Sequence, residues 1–112
     1  MIKMRSDTAL LLVDVQHDFL PGGALAVPQG DKILPVIASL QPKFERLVAT
    51  QDYHPSDHGS FAANHAGKNP GEWIELEGVP QILWPTHCVE GTFGADFPAS
   101  LDRSAWEAIF QK

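Results

Sequence analysis

Three apolar runs along the chain predict three β-strands. Residues 8–13 read TALLLV, a run without polar alternation, which is typical of a strand covered by helices on both faces. We therefore expect this run to form an inner, parallel strand. Residues 47–50 predict a second strand, and residues 105–111 (AWEAIFQ) predict a third that runs into the last residue.

The segments between these runs predict helices and one long loop. Apolar residues spaced three and four apart over 33–40 form one stripe of a helix, with Asp31 as the predicted N-cap. Two further short helices are predicted near 56–65 and 99–103. The rest of 53–83 is rich in Pro, Gly and Asn, and we interpret it as an irregular lid or binding loop.

A strand, a helix and a second strand in this order predict an α/β fold with parallel pairing. Doubly wound sheets usually carry five or more strands, whereas only three are predicted here, and the last lacks a covering helix. We therefore expect residues 1–112 to be the N-terminal portion of a single domain. The alternative is a small three-stranded α/β domain whose sheet a second subunit completes.

Composition narrows the class of protein further. The chain has 112 residues, enough for one domain, and its net charge of -6 without a basic run argues against a nucleic-acid partner. The apolar run at 9–13 is broken by Asp14 and is too short for a signal peptide or a bilayer span. A single cysteine, Cys88, cannot close an internal disulfide. These features favour a cytoplasmic protein with no membrane partner.

Polar residues follow the predicted strands at their carboxyl ends, where open parallel sheets bind ligands. Asp14 follows the first strand, Asp52 and His54 the second, and Lys112 the third. A carboxylate in partial burial beside a cation is tuned for proton transfer. Taken singly, Asp14 is equally well explained as a helix or turn cap, and Lys112 is better explained as a solvated terminal lysine. Their predicted position on one rim favours a functional role for the two together.

A metal site is a second candidate. Asp52 and His54 are on alternate residues, so their side chains leave an extended segment on the same face, and His87 in WPTHC adds a third ligand. Two imidazoles and a carboxylate suit Zn²⁺, Fe²⁺ or Mn²⁺. His58 is either a further ligand or a surface residue. Because Asp-x-His pairs are common in loops, a loop without metal remains an alternative.

Three further residues near this rim have two interpretations each. Cys88 adjoins His87, but neighbours on an extended segment point apart, which favours a small buried residue over a Cys-His nucleophile pair. Phe19 and Trp84 flank the rim and are suited either to clamping a flat ring or to core packing.

Four segments in this order resemble one known family. They are 11–27 (LLVDVQHDFLPGGALAV), 48–61 (VATQDYHPSDHGSF), 84–97 (WPTHCVEGTFGADF) and 108–112 (AIFQK). They are similar to the nicotinamidases, or pyrazinamidases, of the isochorismatase-like cysteine hydrolases. The resemblance implies a three-layer α/β/α fold with a mainly parallel sheet, incomplete in this chain. It also implies hydrolysis of nicotinamide, and of pyrazinamide, in NAD salvage.

The resemblance also implies a divalent metal cofactor, for which zinc is the preferred ion and iron or manganese are alternatives. It further implies roles for individual residues. Ser60 or His58 would support a metal-bound water or add a ligand. The other implied roles are catalysis by Asp14 and Lys112, metal binding by Asp52, His54 and His87, and stacking on the pyridine ring by Phe19 and Trp84.

The family's nucleophilic cysteine lies well downstream of the lysine, in a segment that these 112 residues lack. The resemblance implies that its thiolate attacks the carboxamide carbon, that Asp14 takes the thiol proton and that Lys112 favours the thiolate. We therefore expect this portion alone to be inactive. The expected partner of the whole enzyme is its substrate, nicotinamide. Whether the enzyme forms a homo-oligomer is left open. The alternatives are another isochorismatase-like amidase or hydrolase and a truncated, non-catalytic metal-binding module.

Overall fold

The computed structural model describes residues 7–112, which contain a three-stranded parallel sheet, one α-helix and a separate two-stranded hairpin. No helix in this part of the chain is long and apolar enough to cross a bilayer. The elements are β1 (Ala9–Val13), α1 (Ile33–Leu40), β2 (Arg46–Gln51), β3 (Trp73–Leu76), β4 (Val79–Ile82) and β5 (Ala108–Gln111).

The parallel sheet has the order β1-β2-β5, and all three strands were predicted from their apolar runs. Leu12 of β1 lies opposite Ala49 of β2, and Ala49 lies opposite Ile109 of β5. The expectation that β1 is an inner strand is wrong for residues 7–112, where β1 pairs only with β2. Its apolar run reflects two apolar faces, of which α1 covers one, and Leu11 and Val13 on the other face are exposed.

The core lies between one face of the sheet and α1. Trp106 closes its edge, with its ring perpendicular to that of Phe97 at 5.0 Å and its Nε1 donating to Gln41 Oε1 at 2.9 Å. Burial of a cluster of apolar side chains stabilises the strand-helix-strand unit. The cluster consists of Leu12, Val15, Ile37, Ala49, Phe97 and Leu101.

Helix α1 begins differently from the prediction. Asp31 belongs to a 3₁₀ turn over Gly30–Lys32 and is not the N-cap; Lys32 holds that position without a side-chain hydrogen bond to the helix. The first backbone N–H of the helix, that of Ile33, donates to carbonyls of the 3₁₀ turn, so this group does not need a side-chain cap.

The two other predicted helices, near 56–65 and 99–103, do not form. In the first segment a 3₁₀ turn spans Ala62–Asn64, and Asn64 Nδ2 donates to the carbonyls of Ser56 and His58. In the second, Asp102 Oδ1 accepts from the Ser104 backbone N–H at 3.0 Å. In both, a side chain bonds to backbone groups that a helix would otherwise use.

The stretch 53–83 also contains the antiparallel hairpin of β3 and β4, which the sequence prediction missed. Its two-residue turn is Glu77-Gly78, with φ values of 50° and 80°. Positive φ at both positions is the geometry of a type I′ hairpin turn, for which glycine is favoured.

Candidate active site and metal centre

Asp14 is the first residue after β1 and sits where the chain turns away from the sheet. Its backbone has a φ of 54°, and its N–H donates to the Thr50 carbonyl at 3.2 Å. The Thr50 hydroxyl donates to Asp14 Oδ1 at 2.7 Å. Thr50 on β2 therefore fixes both the backbone and one carboxylate oxygen of Asp14, which leaves Oδ2 for another partner.

That partner is Lys112, which follows β5. The Lys112 backbone extends the parallel pairing, because its N–H donates to the Gln51 carbonyl at 3.0 Å and its carbonyl accepts from Tyr53 N–H at 2.9 Å. Its Nζ donates to Asp14 Oδ2 at 2.7 Å. The Asp14 and Lys112 side chains are 20% and 54% exposed. The hydrogen bond to Asp14 raises the pKa of Lys112, while partial burial lowers it.

Asp52, His54 and His87 converge beside this pair from two separate segments. Asp52 Oδ1 lies 2.8 Å from His54 Nε2, and Asp52 Oδ2 lies 3.3 Å from His87 Nε2. One ligand atom from each residue lies within 4.8 Å of the other two. The segments are held together because His54 N–H donates to the Cys88 carbonyl at 2.9 Å.

This group has the donor chemistry of a divalent-metal site. The Nδ1 of His87 lies 2.7 Å from the Pro85 carbonyl, which can only accept, so Nδ1 carries a proton and Nε2 is the ring nitrogen that faces Asp52 and is able to bind a metal. One carboxylate and two imidazole nitrogens are ligands that Zn²⁺ accepts in open sites with three protein ligands. The three residues could therefore hold a divalent metal, which is one of the two interpretations that their spacing left open.

Ser60 and His58 lie next to this group and form a pair of their own. Ser60 Oγ is 2.7 Å from His58 Nδ1, which also accepts from the Ser60 backbone N–H at 3.1 Å. The ring centroids of His58 and His54 are 4.5 Å apart. Burial, followed by repulsion from His54, lowers the pKa of His58. The uncharged imidazole is therefore favoured beside the ligand histidines.

Cys88 is buried and adopts the left-handed backbone conformation, with a φ of 48°. Burial, followed by the nearby carboxylates of Asp52 and Asp18, raises the pKa of Cys88 to about 12. A thiol with this pKa is scarcely ionised at neutral pH and is a poor nucleophile. These properties favour the interpretation of Cys88 as a small buried residue.

A cavity of about 370 Å³ opens onto the three candidate metal ligands and also onto both predicted ring-binding residues, Phe19 and Trp84. Trp84 is held by two backbone hydrogen bonds, one to the Ser60 carbonyl and one from Ala62 N–H, each at 2.9 Å. The Phe19 and His87 ring centroids are 5.9 Å apart. Phe19 also lines an adjoining cavity of about 210 Å³ that reaches Asp14.

Sequence reasoning missed two residues that shape the site. Gln16 is fully buried: its Nε2 donates to the Asp52 and Ala95 carbonyls at 2.7 and 2.8 Å, and its Oε1 accepts from Asp52 N–H at 2.8 Å. Asp18 accepts a hydrogen bond from the Cys88 backbone N–H at 2.7 Å. All four hydrogen bonds join segments far apart in sequence, so no local spacing could have predicted them.

Comparison with curated proteins finds nicotinamidases among the relatives of this chain. No protein-family model matches the chain. The nicotinamidases of Acinetobacter baylyi and Escherichia coli are each 47% identical to it, over 99% and 93% of this chain and 52% and 50% of their own lengths. The chain therefore spans about half the length of the curated relatives it matches.

Solved structures share the fold. The nicotinamidase/pyrazinamidase of Acinetobacter baumannii superposes with a TM-score of 0.91 at 49% identity, over 98% of this chain and 53% of that one. The yeast nicotinamidase bound to the inhibitor nicotinaldehyde has a TM-score of 0.79 at 35% identity, over 93% and 56%. The pyrazinamidase of Pyrococcus horikoshii in complex with zinc has a TM-score of 0.65 at 41% identity, over 93% and 50%.

The class extends beyond these enzymes, since an isochorismatase-like hydrolase of Alkaliphilus metalliredigens superposes with a TM-score of 0.66 at 25% identity, over 93% of this chain and 50% of that one. The described parallel sheet with its helix is thus an incomplete α/β fold of the isochorismatase-like hydrolases. Within this class, identity of 47% over nearly its whole length makes the chain a homologue of the nicotinamidases.

Proposed function

We propose that the protein containing this chain hydrolyses nicotinamide to nicotinate and ammonia, and accepts pyrazinamide in the same way. The observation that carries the proposal is the 2.7 Å contact between Lys112 and Asp14 at two strand ends. It supplies an acid-base group and a cation near a cavity with three metal ligands. The nicotinamidase relatives support amide hydrolysis as the reaction class.

Asp52, His54 and His87 are proposed to hold the metal, with zinc preferred and iron or manganese as alternatives. The zinc complex of the Pyrococcus horikoshii pyrazinamidase supports zinc. A divalent ion held by these residues would supply a Lewis acid to the substrate. The Pro85 carbonyl keeps Nε2 of His87 available by holding the proton on Nδ1. The Ser60–His58 pair is proposed to orient water beside these ligands.

Phe19 and Trp84 are proposed to bind the pyridine ring. The cavity of about 370 Å³ that they line lies within the range of small-molecule sites. Trp84 is 40% exposed, so its indole face is accessible to a flat ligand. The yeast nicotinamidase bound to nicotinaldehyde supports a small aromatic ligand for this fold.

The proposed chemistry uses a cysteine thiol that these 112 residues do not supply, because Cys88 is buried and its pKa is raised to about 12. Asp14 accepts the proton of that thiol, and the ammonium of Lys112 favours the thiolate electrostatically. The thiolate forms a C–S bond to the carboxamide carbon, and the C–N bond breaks as Asp14 returns the proton to the leaving nitrogen, which departs as ammonia. Water then cleaves the thioester to nicotinate and restores the thiol. This portion alone is accordingly proposed to bind metal without turnover, as the N-terminal part of one hydrolase domain.

This reaction would serve pyridine nucleotide salvage, and we propose that it takes place in the cytoplasm. A net charge of -6 is unfavourable for binding nucleic acid, in keeping with a small-molecule substrate as the partner.

Ammonia release from nicotinamide tests the proposal. In the full-length protein, Asp14→Asn keeps the shape of the side chain but removes the base, and loss of a general base typically costs about 10²–10⁴-fold in rate. Lys112→Met removes the charge with little change in length. Glu107→Gln, which removes one carboxylate from the exposed ion pair with Arg46, is the matched control. Ammonia release by Asp14→Asn at the wild-type rate would refute the assignment of Asp14.

A further inference from the structure

The carboxylate of Asp18 lies behind the metal ligands. Asp18 is in a 3₁₀ turn over His17–Phe19 and is not one of the three candidate ligands. Its Oδ2 accepts from the Cys88 backbone N–H at 2.7 Å, across 70 positions of sequence, and its Oδ1 accepts from Ala24 N–H at 3.1 Å. Hydrogen bonds to an ionised carboxylate are stronger than those between neutral groups.

The peptide that Asp18 binds is connected to both histidine ligands. Cys88 directly follows His87, and its carbonyl accepts from His54 N–H at 2.9 Å. Its φ of 48° is unfavourable for a residue with a Cβ, so this conformation requires support from its surroundings. The Asp18 carboxylate provides such support at the Cys88 N–H. Moving Asp18 would therefore displace His87 through the chain and His54 through the hydrogen bond.

The space around Asp18 holds the carboxylate in place. A Cβ atom built at Gly94 would overlap the Asp18 carboxylate, so glycine is required there for the observed position. The same turn is anchored by Phe93, whose ring stacks on His17 with centroids 3.8 Å apart. The Asp18 backbone carbonyl accepts from Leu25 N–H at 2.9 Å. Contacts from several directions thus fix the position of Asp18.

We propose that Asp18 is a positioning residue that sets the metal-binding geometry of His54 and His87 through the Cys88 peptide. The inference deepens the proposed function, since it rests on the metal site assigned there. The competing explanation is that Asp18 only stabilises the loop that includes Ala24 and Leu25. The two explanations differ in what they predict for metal affinity.

Zinc dissociation constants of the metal-free full-length protein, measured by competition with a chromogenic chelator, test the proposal. Asp18→Ala is expected to weaken zinc binding by about 10–100-fold, the usual loss when the partner of a metal ligand is removed. Asp18→Asn retains a carbonyl oxygen for Cys88 N–H and is expected to restore most of that loss. Cobalt absorption spectra report the ligand geometry, which a change in loop stability alone would leave unaltered.

Asp102→Ala is the matched control, because its carboxylate also accepts from a backbone N–H, that of Ser104, but in an exposed turn outside the metal site. It is expected to leave zinc affinity unchanged. Gly94→Ala as a single substitution should weaken zinc binding. The same change made in the Asp18→Ala variant should weaken it little further, because both substitutions act through the Asp18 carboxylate. Thermal unfolding and near-ultraviolet circular dichroism identify variants that remain folded.

Two results separate this inference from the proposed function. Wild-type zinc affinity and an unchanged cobalt spectrum in folded Asp18→Ala would overturn the positioning role, whether or not nicotinamide is hydrolysed. Weakened zinc binding in Asp18→Ala, restored in Asp18→Asn, supports the role even if the wild-type protein releases no ammonia from nicotinamide. The absence of ammonia release from the wild-type protein would overturn only the proposed substrate and reaction.

Discussion

Replacing Gln16 with methionine tests how the strand ends are joined beneath the site. The substitution keeps the length of the side chain but removes its three hydrogen bonds. The Ala95 carbonyl keeps a donor, because Gln51 Nε2 also binds it at 2.8 Å. The Asp52 N–H loses its acceptor, Gln16 Oε1, and the Asp52 carbonyl loses its donor, Gln16 Nε2, both at a partly buried position.

The expected magnitude follows from these two groups. A buried polar group that loses its partner costs about 1–3 kcal/mol, so the pair costs about 2–6 kcal/mol. Burying an apolar thioether in place of an amide offsets about 1–2 kcal/mol of this. We therefore expect Gln16→Met to lower the free energy of unfolding by about 2–3 kcal/mol, within bounds of about 0–5 kcal/mol. Zinc affinity should also fall, because the backbone of the ligand Asp52 is no longer held.

Urea denaturation of the metal-free protein measures the first effect, and chelator competition measures the second. Gln41→Met is the control, since Gln41 is also a buried glutamine with two hydrogen bonds, to the Asp102 carbonyl and from Trp106 Nε1. It should lower stability while leaving zinc affinity unchanged. A wild-type urea midpoint for Gln16→Met, with an unchanged m-value, would refute the reasoning.

Other predictions concern reactivity, pH and ligand binding. With its pKa raised from 9.0 to about 12, Cys88 should react with iodoacetamide about a thousandfold more slowly than a free thiol near neutral pH, and fast alkylation without denaturant would contradict its burial. Because the folded-state pKa of Lys112 is raised above 10.5, the stabilisation from its contact with Asp14 should be complete below that pH. The stabilisation should disappear as the pH rises through the raised pKa of Lys112. The difference in urea midpoint between wild type and Lys112→Met should vanish over the same pH range. A difference that does not change with pH would argue against an ionic contact. Trp84→Leu should weaken nicotinamide binding by about two- to tenfold in a fluorescence titration, the value of one aromatic contact, whereas Trp73→Leu, on the exposed hairpin, should leave it unchanged.

The strands and α1 could be predicted because their signals are local. The apolar run of β1 and the three-and-four spacing of α1 each describe a surface that must be buried, and both elements form. The hairpin was missed because β3 and β4 have only four residues each and are largely exposed, so their apolar pattern is weak. The predicted helices near 56–65 and 99–103 failed because side chains such as Asn64 and Asp102 bond to the local backbone.

In the candidate site, too, the local features could be predicted and the long-range contacts could not. The sequence alone determined that Asp52 and His54 leave one face of an extended segment, because alternation along a strand is a local property of the backbone. Only the tertiary structure decided that His87 meets them, that Lys112 reaches Asp14, and that the side chains of Gln16 and Asp18 bind distant peptides. Those contacts join residues from 33 positions apart, for His54 and His87, to 98 positions apart, for Asp14 and Lys112. Such separations are closed by the packing of strands and loops, which no short-range spacing encodes.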